Sequence, residues 1–299
     1  MRPRYSSCVT SKRRFPFKTS SVVIPGLGFI VPIPSLLLSL LGACRGSPAV
    51  NLEPSKDAKG SATSVAHGVV GSSAIGLFDA LAPDQRDRIK NERVFFGHQS
   101  VGENIIAGAE SLGFQFEAAT SKDDYTQPKL GAAHLPANGE PLRKMANFET
   151  FVNAIGVADV AAMKLCWIDF TPDSDVNELQ TTYVSTINDL IAKNPKTTFV
   201  HITPPLTTDA PNLNRARIAY GNWMKSTYGS IAVVFDLGEV ISTRPDGTAC
   251  EDGGSRRLCP EYASDSGHLN ALGQERAAKA FLYAVYTASP SATPQASDE

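Results

Sequence analysis

Ser100 lies in Gly97-His98-Gln99-Ser100-Val101-Gly102, directly after the apolar run Val94-Phe95-Phe96 and directly before helix-like sequence. A hydroxyl at such a strand-to-helix turn is exposed, and its own N–H points along a helix start. That is the geometry of a nucleophile with part of an oxyanion hole attached. Serine is also a common helix N-cap, so this segment alone leaves both readings open. The stretch is not the G-x-S-x-G elbow of the α/β-hydrolases.

A nucleophilic serine needs a base. His67 falls in Ser/Gly/Ala-rich sequence, His134 in the loop-like "GAAHLPANGEP", and His201 inside an apolar strand pattern. His268 differs, because Asp265 stands three residues before it in "SDSGHLNALG", just ahead of the last helical stretch. An Asp and a His three apart on one turn let the carboxylate meet Nδ1–H, leaving Nε2 to take a proton. The same pair could simply cap a turn and a helix. Asp169 and Asp236 end strand-like runs, where aspartate more often caps the next helix or turn.

The elements that must position these residues alternate. Strands are expected at 93–96, 114–118, 160–165, 197–203 and 231–236. Helical stripes run through Leu179, Tyr183, Ile187 and Leu190/Ile191, then Leu213, Ala216, Tyr220, Trp223/Met224 and Tyr228, and finally Leu272 to Tyr286. Short apolar strands alternating with helices predict a parallel sheet covered on both faces. Ligands bind at the carboxyl ends of such strands, where Ser100 falls.

With Ser100 after the first of these strands and D-x-x-H before the last helix, the chain resembles the SGNH (GDSL-type) hydrolases over about residues 90–286. "DVAAMKLCWIDF" is similar to that family's third block, "FVHITPPL" to the strand after it, and "DSGHLNALG" to its final block. The resemblance implies a three-layer α/β/α sandwich, flavodoxin-like, with a five-stranded mainly parallel sheet. It also implies Ser100 as nucleophile, His268 as base and Asp265 as its partner.

The departures are specific. The family's oxyanion Asn falls on Ile168 and the Gly before it on Cys166. Ile cannot donate a hydrogen bond, and one lost oxyanion donor costs about 10²–10³ in rate. Asn104, one helical turn after Ser100, is a candidate substitute, its alternative being a solvent-facing helix residue. Gly131 in "PKLGAAH" is the candidate for the second-block glycine. The first block reads G-H-Q-S rather than G-D-S, so a gapless match would place Gln99 at the nucleophile. "HQSVG" resembles an H-x-S-x-G variant of the family, which favours Ser100 and makes His98 an active-site neighbour. Asp169 could line the site.

Six of the 28 basic residues lie in the first 44 positions, which hold no acid, so the rest of the chain carries 22 basic against 30 acidic side chains. An acidic body without a basic stripe argues against nucleic acid or anionic membrane surfaces as partners. Residues 1–44 read as an export segment, a basic stretch followed by a Pro-interrupted apolar run. It ends in Leu41-Gly42-Ala43-Cys44, which resembles a lipoprotein box with Cys44 as the lipidated residue. Membrane contact is expected only through that lipid or an uncleaved anchor. Residues 45–75 read as a flexible tether, 76–287 as the folded domain and 288–299 as a disordered tail. Cys250 and Cys259 flank a polar Gly-rich loop and are expected to pair in an oxidising compartment. Cys166 is expected to be a buried thiol.

The chain shows no phosphate-cradling glycine loop and no metal-ligand spacing, so no cofactor or metal is expected. The function expected is an exported serine esterase, periplasmic lipoprotein or secreted, acting on an ester such as an O-acylated carbohydrate. The alternatives are an envelope polysaccharide O-acyltransferase using the same residues and a noncatalytic carbohydrate-binding module of the same fold.

Overall fold

The structure, a computed structural model, describes residues 67–136, 138–171, 174–209 and 211–290. The export segment with Cys44, the tether up to residue 66 and the tail from 291 lie outside the described residues.

The first half of the chain contributes β1 (Gly68–Val70), α1 (Ala74–Asp79), α2 (Pro83–Lys90), β2 (Arg93–His98), α3 (Val101–Ser111), β3 (Phe116–Ala118), β4 (Lys129–His134) and α4 (Pro141–Ile155). The second half adds β5 (Val160–Met163), α5 (Val176–Lys193), β6 (Thr198–Ile202), α6 (Pro211–Tyr228), β7 (Val233–Phe235) and α7 (Leu237–Val240). A small hairpin, β8 (Glu251–Asp252) with β9 (Ser255–Arg256), precedes α8 (Ala271–Ala288). The main sheet has the order β1-β7-β6-β5-β2-β4-β3, with every pairing parallel.

Side chains of successive strand residues point to opposite faces, and β2 shows the consequence. Val94 and Phe96 join the core layer formed with α3 and α8, whereas Phe95 joins Phe148 of α4 and Leu179, Tyr183 and Ile187 of α5 on the other face. All of these residues are buried, and each large apolar side chain so buried stabilises the fold by about 1.5–3 kcal/mol. The result is the expected three-layer α/β/α sandwich. Its sheet has seven strands rather than five, and it is parallel throughout.

The two additional strands are β1 and β4. The first lies in the stretch read as tether. Val70, Ala74 and Phe78 enter the core, so the folded domain begins at residue 68 rather than 76. At the other end, α8 runs to Ala288 and Ser289 is buried, so the first residues of the expected tail are part of the domain. The second, β4, corrects the loop reading of residues 131–134. It pairs with β2 from Arg93↔Lys129 to His98↔His134.

Strand β2 therefore sits near the middle of the sheet, between β4 and β5. The chain leaves β2 toward β3 and β4, then returns to place β5 on its other side. A crevice at the carboxyl ends of the strands opens where the winding reverses in this way. Helix α3 starts in that crevice and packs closely on α8. A Cβ on Gly108 would collide with the Gln274 carbonyl, so this approach requires glycine.

Cys250 and Cys259 form a disulfide with a sequence separation of 9, closing the loop that contains the β8–β9 hairpin. The sequence pattern of this loop predicts no strands. Its Gly253-Gly254 pair, at φ +56° and +75°, supplies the tight turn a hairpin needs. Cross-linking so short a loop restricts the unfolded chain by about 2–3 kcal/mol. Cys250→Ser, or added dithiothreitol, is expected to lower the urea unfolding free energy by that amount. An unchanged midpoint would mean the loop is held by its other contacts.

Candidate active site

Ser100 caps α3 with φ 55° and ψ −110°, and it is the one non-glycine residue with positive φ among the described residues. Such a conformation costs about 1–3 kcal/mol and persists only where the surroundings enforce it. The enforcement is local. His98, at the end of β2, packs its Cβ against the Cα of Gly102, where any side chain would collide. The histidine and the second glycine of H-x-S-x-G are thus a packing pair around the turn.

The bend aims the Ser100 hydroxyl at the loop preceding α8. Ser100 Oγ lies 2.6 Å from His268 Nε2. On the other side of the ring, His268 Nδ1 lies 2.8 Å from Asp265 Oδ2 and 3.0 Å from Oδ1. Asp265 Oδ1 also accepts the Gly267 and His268 N–H groups, each at 2.8 Å. The Gly267 N–H, followed by the His268 side chain and N–H, holds the Asp265 carboxyl below the usual aspartate range. An ionised Asp265 fixes the tautomer in which Nε2 faces the serine with its lone pair. Asn270 caps α8 by accepting the Gly273 N–H at 3.1 Å, and Gly273 lies against the Tyr262 carbonyl, where a Cβ would come within 2.5 Å. In D-x-x-H-x-N-x-x-G, the last two named residues therefore start the helix rather than line the site.

The other sequence candidates fall elsewhere. Asn104 Oδ1 accepts the Leu269 N–H at 3.0 Å, tying α3 to the residue after His268. Gly131 is buried in mid-strand under Tyr125, away from the carboxyl rim. Asp169 is fully buried in an ion pair with Lys144 at 2.6 Å and also accepts the Cys166 and Gly139 N–H groups. It braces the segment after β5, and the cavity it borders is lined by Gly139, Pro141 and Glu178 rather than by Ser100 or His268. Asp236 caps α7 and holds Lys225 and Thr203. Gln99 is half-buried; its carbonyl accepts the Gly102 N–H, and its side chain makes no hydrogen bond among the described residues.

Ile168 is 42% exposed and offers no donor. The Cys166 N–H is taken by Asp169. The Ser100 N–H, at the residue before α3, meets no acceptor among the described residues. Three residues that the sequence did not single out support this edge. Trp167 stands edge-on to His268 with ring centroids 6.4 Å apart, and Arg217 holds the Trp167 carbonyl at 2.9 and 3.1 Å. Lys164 is fully buried, with Nζ 3.1 Å from Cys166 Sγ, and burial pushes its ammonium down. The Cys166 thiol in turn donates to the Gln99 carbonyl at 3.6 Å. No periodicity marks Trp167 or Arg217, because their partners, His268 and the Trp167 carbonyl, are distant in sequence.

Fold and site together define a three-layer α/β/α protein with a hydrogen-bonded Ser-His-Asp chain on the carboxyl rim of its sheet. No protein-family model and no curated relative matches the chain. Among solved structures it is similar to a candidate platelet activating factor from Streptococcus pneumonia, at 14% identity and TM-score 0.45 over 70% of this chain and 97% of that one. It is also similar to a candidate lipolytic protein of the G-D-S-L family from Desulfitobacterium hafniense DCB-2, at 11% identity and TM-score 0.42 over 64% and 97% of the two chains. A third is a catalytic mutant of an acetylxylan esterase from Geobacillus stearothermophilus, at 15% identity and TM-score 0.39 over 66% and 94%.

Two buried histidines make the scaffold acid-sensitive. Burial lowers His98 to about 3, helped by His134 and Lys164, and burial lowers His201 to about 3. His201 sits 2.9 Å from the Tyr183 hydroxyl and stacks on Tyr228. Both are neutral when folded but protonate near 6.5 when unfolded, so stability is present above 6.5 and lost as pH falls toward 3. Between pH 7 and pH 5 each histidine should cost about 2 kcal/mol. Urea titrations at the two pH values should show the loss, and His201→Gln should reduce it by about that amount; an unchanged pH dependence would mean His201 is not buried as a neutral ring.

Proposed function

We propose that this chain is an exported serine esterase of the SGNH type, acting on an ester such as an O-acylated carbohydrate. The observation that carries the catalytic reading is the continuous hydrogen-bond chain from Ser100 Oγ through His268 to Asp265, at 2.6 and 2.8 Å. Nucleophile, base and orienting carboxylate are all within hydrogen-bond reach, as general-base activation of a serine requires. Export rests on the sequence of residues 1–44, and the substrate class on export together with an open site, in which the His268 and Asp265 side chains are 37% and 57% exposed.

In this reading Ser100 Oγ attacks the ester carbonyl while His268 Nε2 takes the hydroxyl proton. Asp265 stabilises the imidazolium that forms. The tetrahedral oxyanion faces the Ser100 N–H at the positive end of α3. Collapse of the intermediate expels the alcohol, which receives the proton from His268, and leaves an acyl-Ser100. Water, deprotonated by His268, then adds to the acyl group and releases the acid. A sugar hydroxyl in place of that water would make the same machinery an O-acyltransferase.

Ile168 favours a second reading, a carbohydrate-binding module that retains the fold without turnover. Fluorophosphonate labelling of the full chain separates the two. Wild type is expected to label, Ser100→Ala to lose labelling and His268→Ala to label at least roughly 100-fold more slowly. A folded wild type that fails to label would favour the binding module, and equal labelling of Ser100→Ala would place the nucleophile elsewhere.

The missing donor yields a gain-of-function test. Ile168 is partly exposed, so Ile168→Asn should fold, and an amide there would offer a second oxyanion hydrogen bond. The expected result is a rise in kcat of about 10- to 100-fold on p-nitrophenyl acetate, part of what one donor is worth. No rise would mean that position 168 does not face the oxyanion.

A further inference from the structure

The rim beside Ser100 carries a second cluster of side chains. Parallel register pairs His98, the last residue of β2, with His134, the last residue of β4. Glu103 enters from the first turn of α3. One ring nitrogen of each histidine and one carboxylate oxygen of Glu103 lie within 4.8 Å of one another. His134 Nε2 is already 3.1 Å from Glu103 Oε1, and the two imidazoles meet edge to face with centroids 5.0 Å apart.

A surface ion pair accounts for Glu103 and His134, but it leaves His98 unexplained. That ring is 4% exposed and its Nδ1 has no hydrogen-bond partner among the described residues. A buried polar atom without a partner costs about 1–3 kcal/mol, yet the ring is packed in place between Phe96 and Gly102.

We infer that His98, Glu103 and His134 form a binding site for a divalent transition-metal ion of the zinc class. Two imidazole nitrogens and one carboxylate oxygen, with a fourth position left open, are a zinc donor set. Calcium and magnesium prefer all-oxygen shells and are disfavoured by two nitrogen donors. Ligand bonds of about 2.0–2.2 Å place tetrahedral neighbours about 3.3 Å apart, close to the existing separation of His134 from Glu103. The remaining gap can be closed from one side. His98 is fixed by packing, whereas the His134 and Glu103 side chains are 63% and 53% exposed and free to rotate.

The nearby cation is Lys164, whose Nζ is paired with Cys166 Sγ at 3.1 Å. Glu103 contributes the compensating negative charge. No local spacing marks the site in the sequence, since its ligands come from three separate elements. A bound ion would fasten the end of β4 to the first turn of α3, the turn that begins at Ser100.

Calorimetric titration of metal-free full-length protein with zinc chloride, at pH 7.5 in a non-chelating buffer, tests the assignment. Wild type is expected to bind one equivalent with Kd of about 10 µM or tighter, and His134→Ala and Glu103→Gln each to weaken it by about tenfold or more. Both substitutions are at exposed side chains, so circular dichroism should show an unchanged fold. Ser100→Ala should bind zinc as wild type does, which keeps this result separate from the fate of the esterase reading. The assignment is overturned if wild type binds no zinc up to about 1 mM, or if both variants bind with wild-type affinity.

Discussion

The contact between α3 and α8 is the constraint on which the site depends. Ser100 is the residue before α3, and His268 lies three residues before α8. The distance between Ser100 and His268 is therefore set by how the two helices meet. Gly108 lets the α3 backbone approach the Gln274 carbonyl, and Asn104 Oδ1 adds a hydrogen bond to the Leu269 N–H one residue beyond His268. One contact removes bulk and the other fixes register. Without both, a 2.6 Å bond between residues 168 positions apart would depend on the loop before α8 alone.

The carboxyl rim is braced mainly by side chains that do no chemistry in the proposed reaction. Asp169 and Asp236 occupy the kind of strand-end position where ligands bind in open sheets, yet each is spent on Lys144 or Lys225 and on backbone N–H groups. A buried ion pair contributes little net stability, because desolvation offsets the attraction, but losing one partner leaves a buried charge at a cost of about 3–5 kcal/mol. Such pairs hold loops in one arrangement. Here the buried Asp169–Lys144 pair holds the segment after β5, which presents Trp167 to His268 and the Cys166 thiol to the Gln99 carbonyl.

The sequence made legible those features whose cause is local. Strands β2, β5, β6 and β7 carry contiguous apolar runs, and α5, α6 and α8 carry stripes at helical spacing, so their positions can be read from periodicity. Asp265 and His268 share one turn, and three residues suffice to show the pair. The features that were not legible have a distant cause. Strand β4 is a strand because β2 and β3 flank it. Its Gly131 must lack a side chain to fit beneath Tyr125, and the small residues of Gly131-Ala132-Ala133 give no strand signal. Strand β1 has three residues, too few for alternation to appear. Asp169 looked like a site residue because Lys144, its partner, lies 25 positions away.

The oxyanion side is where structure and chemistry pull apart. The strained Ser100 turn places one N–H at the head of α3, and the His98–Gly102 contact keeps that turn from relaxing. Activation of the nucleophile and stabilisation of the developing charge are separate demands, met by different atoms. Ser100, His268 and Asp265 have the geometry for the first. For the second, Ile168 supplies no hydrogen bond and the Cys166 N–H is committed to Asp169. In the proposed reaction, an intact proton relay beside a depleted oxyanion hole would let Ser100 acylate on reactive esters and turn over slowly on unactivated ones. Under that proposal the limit to turnover would lie in donor placement rather than in the relay.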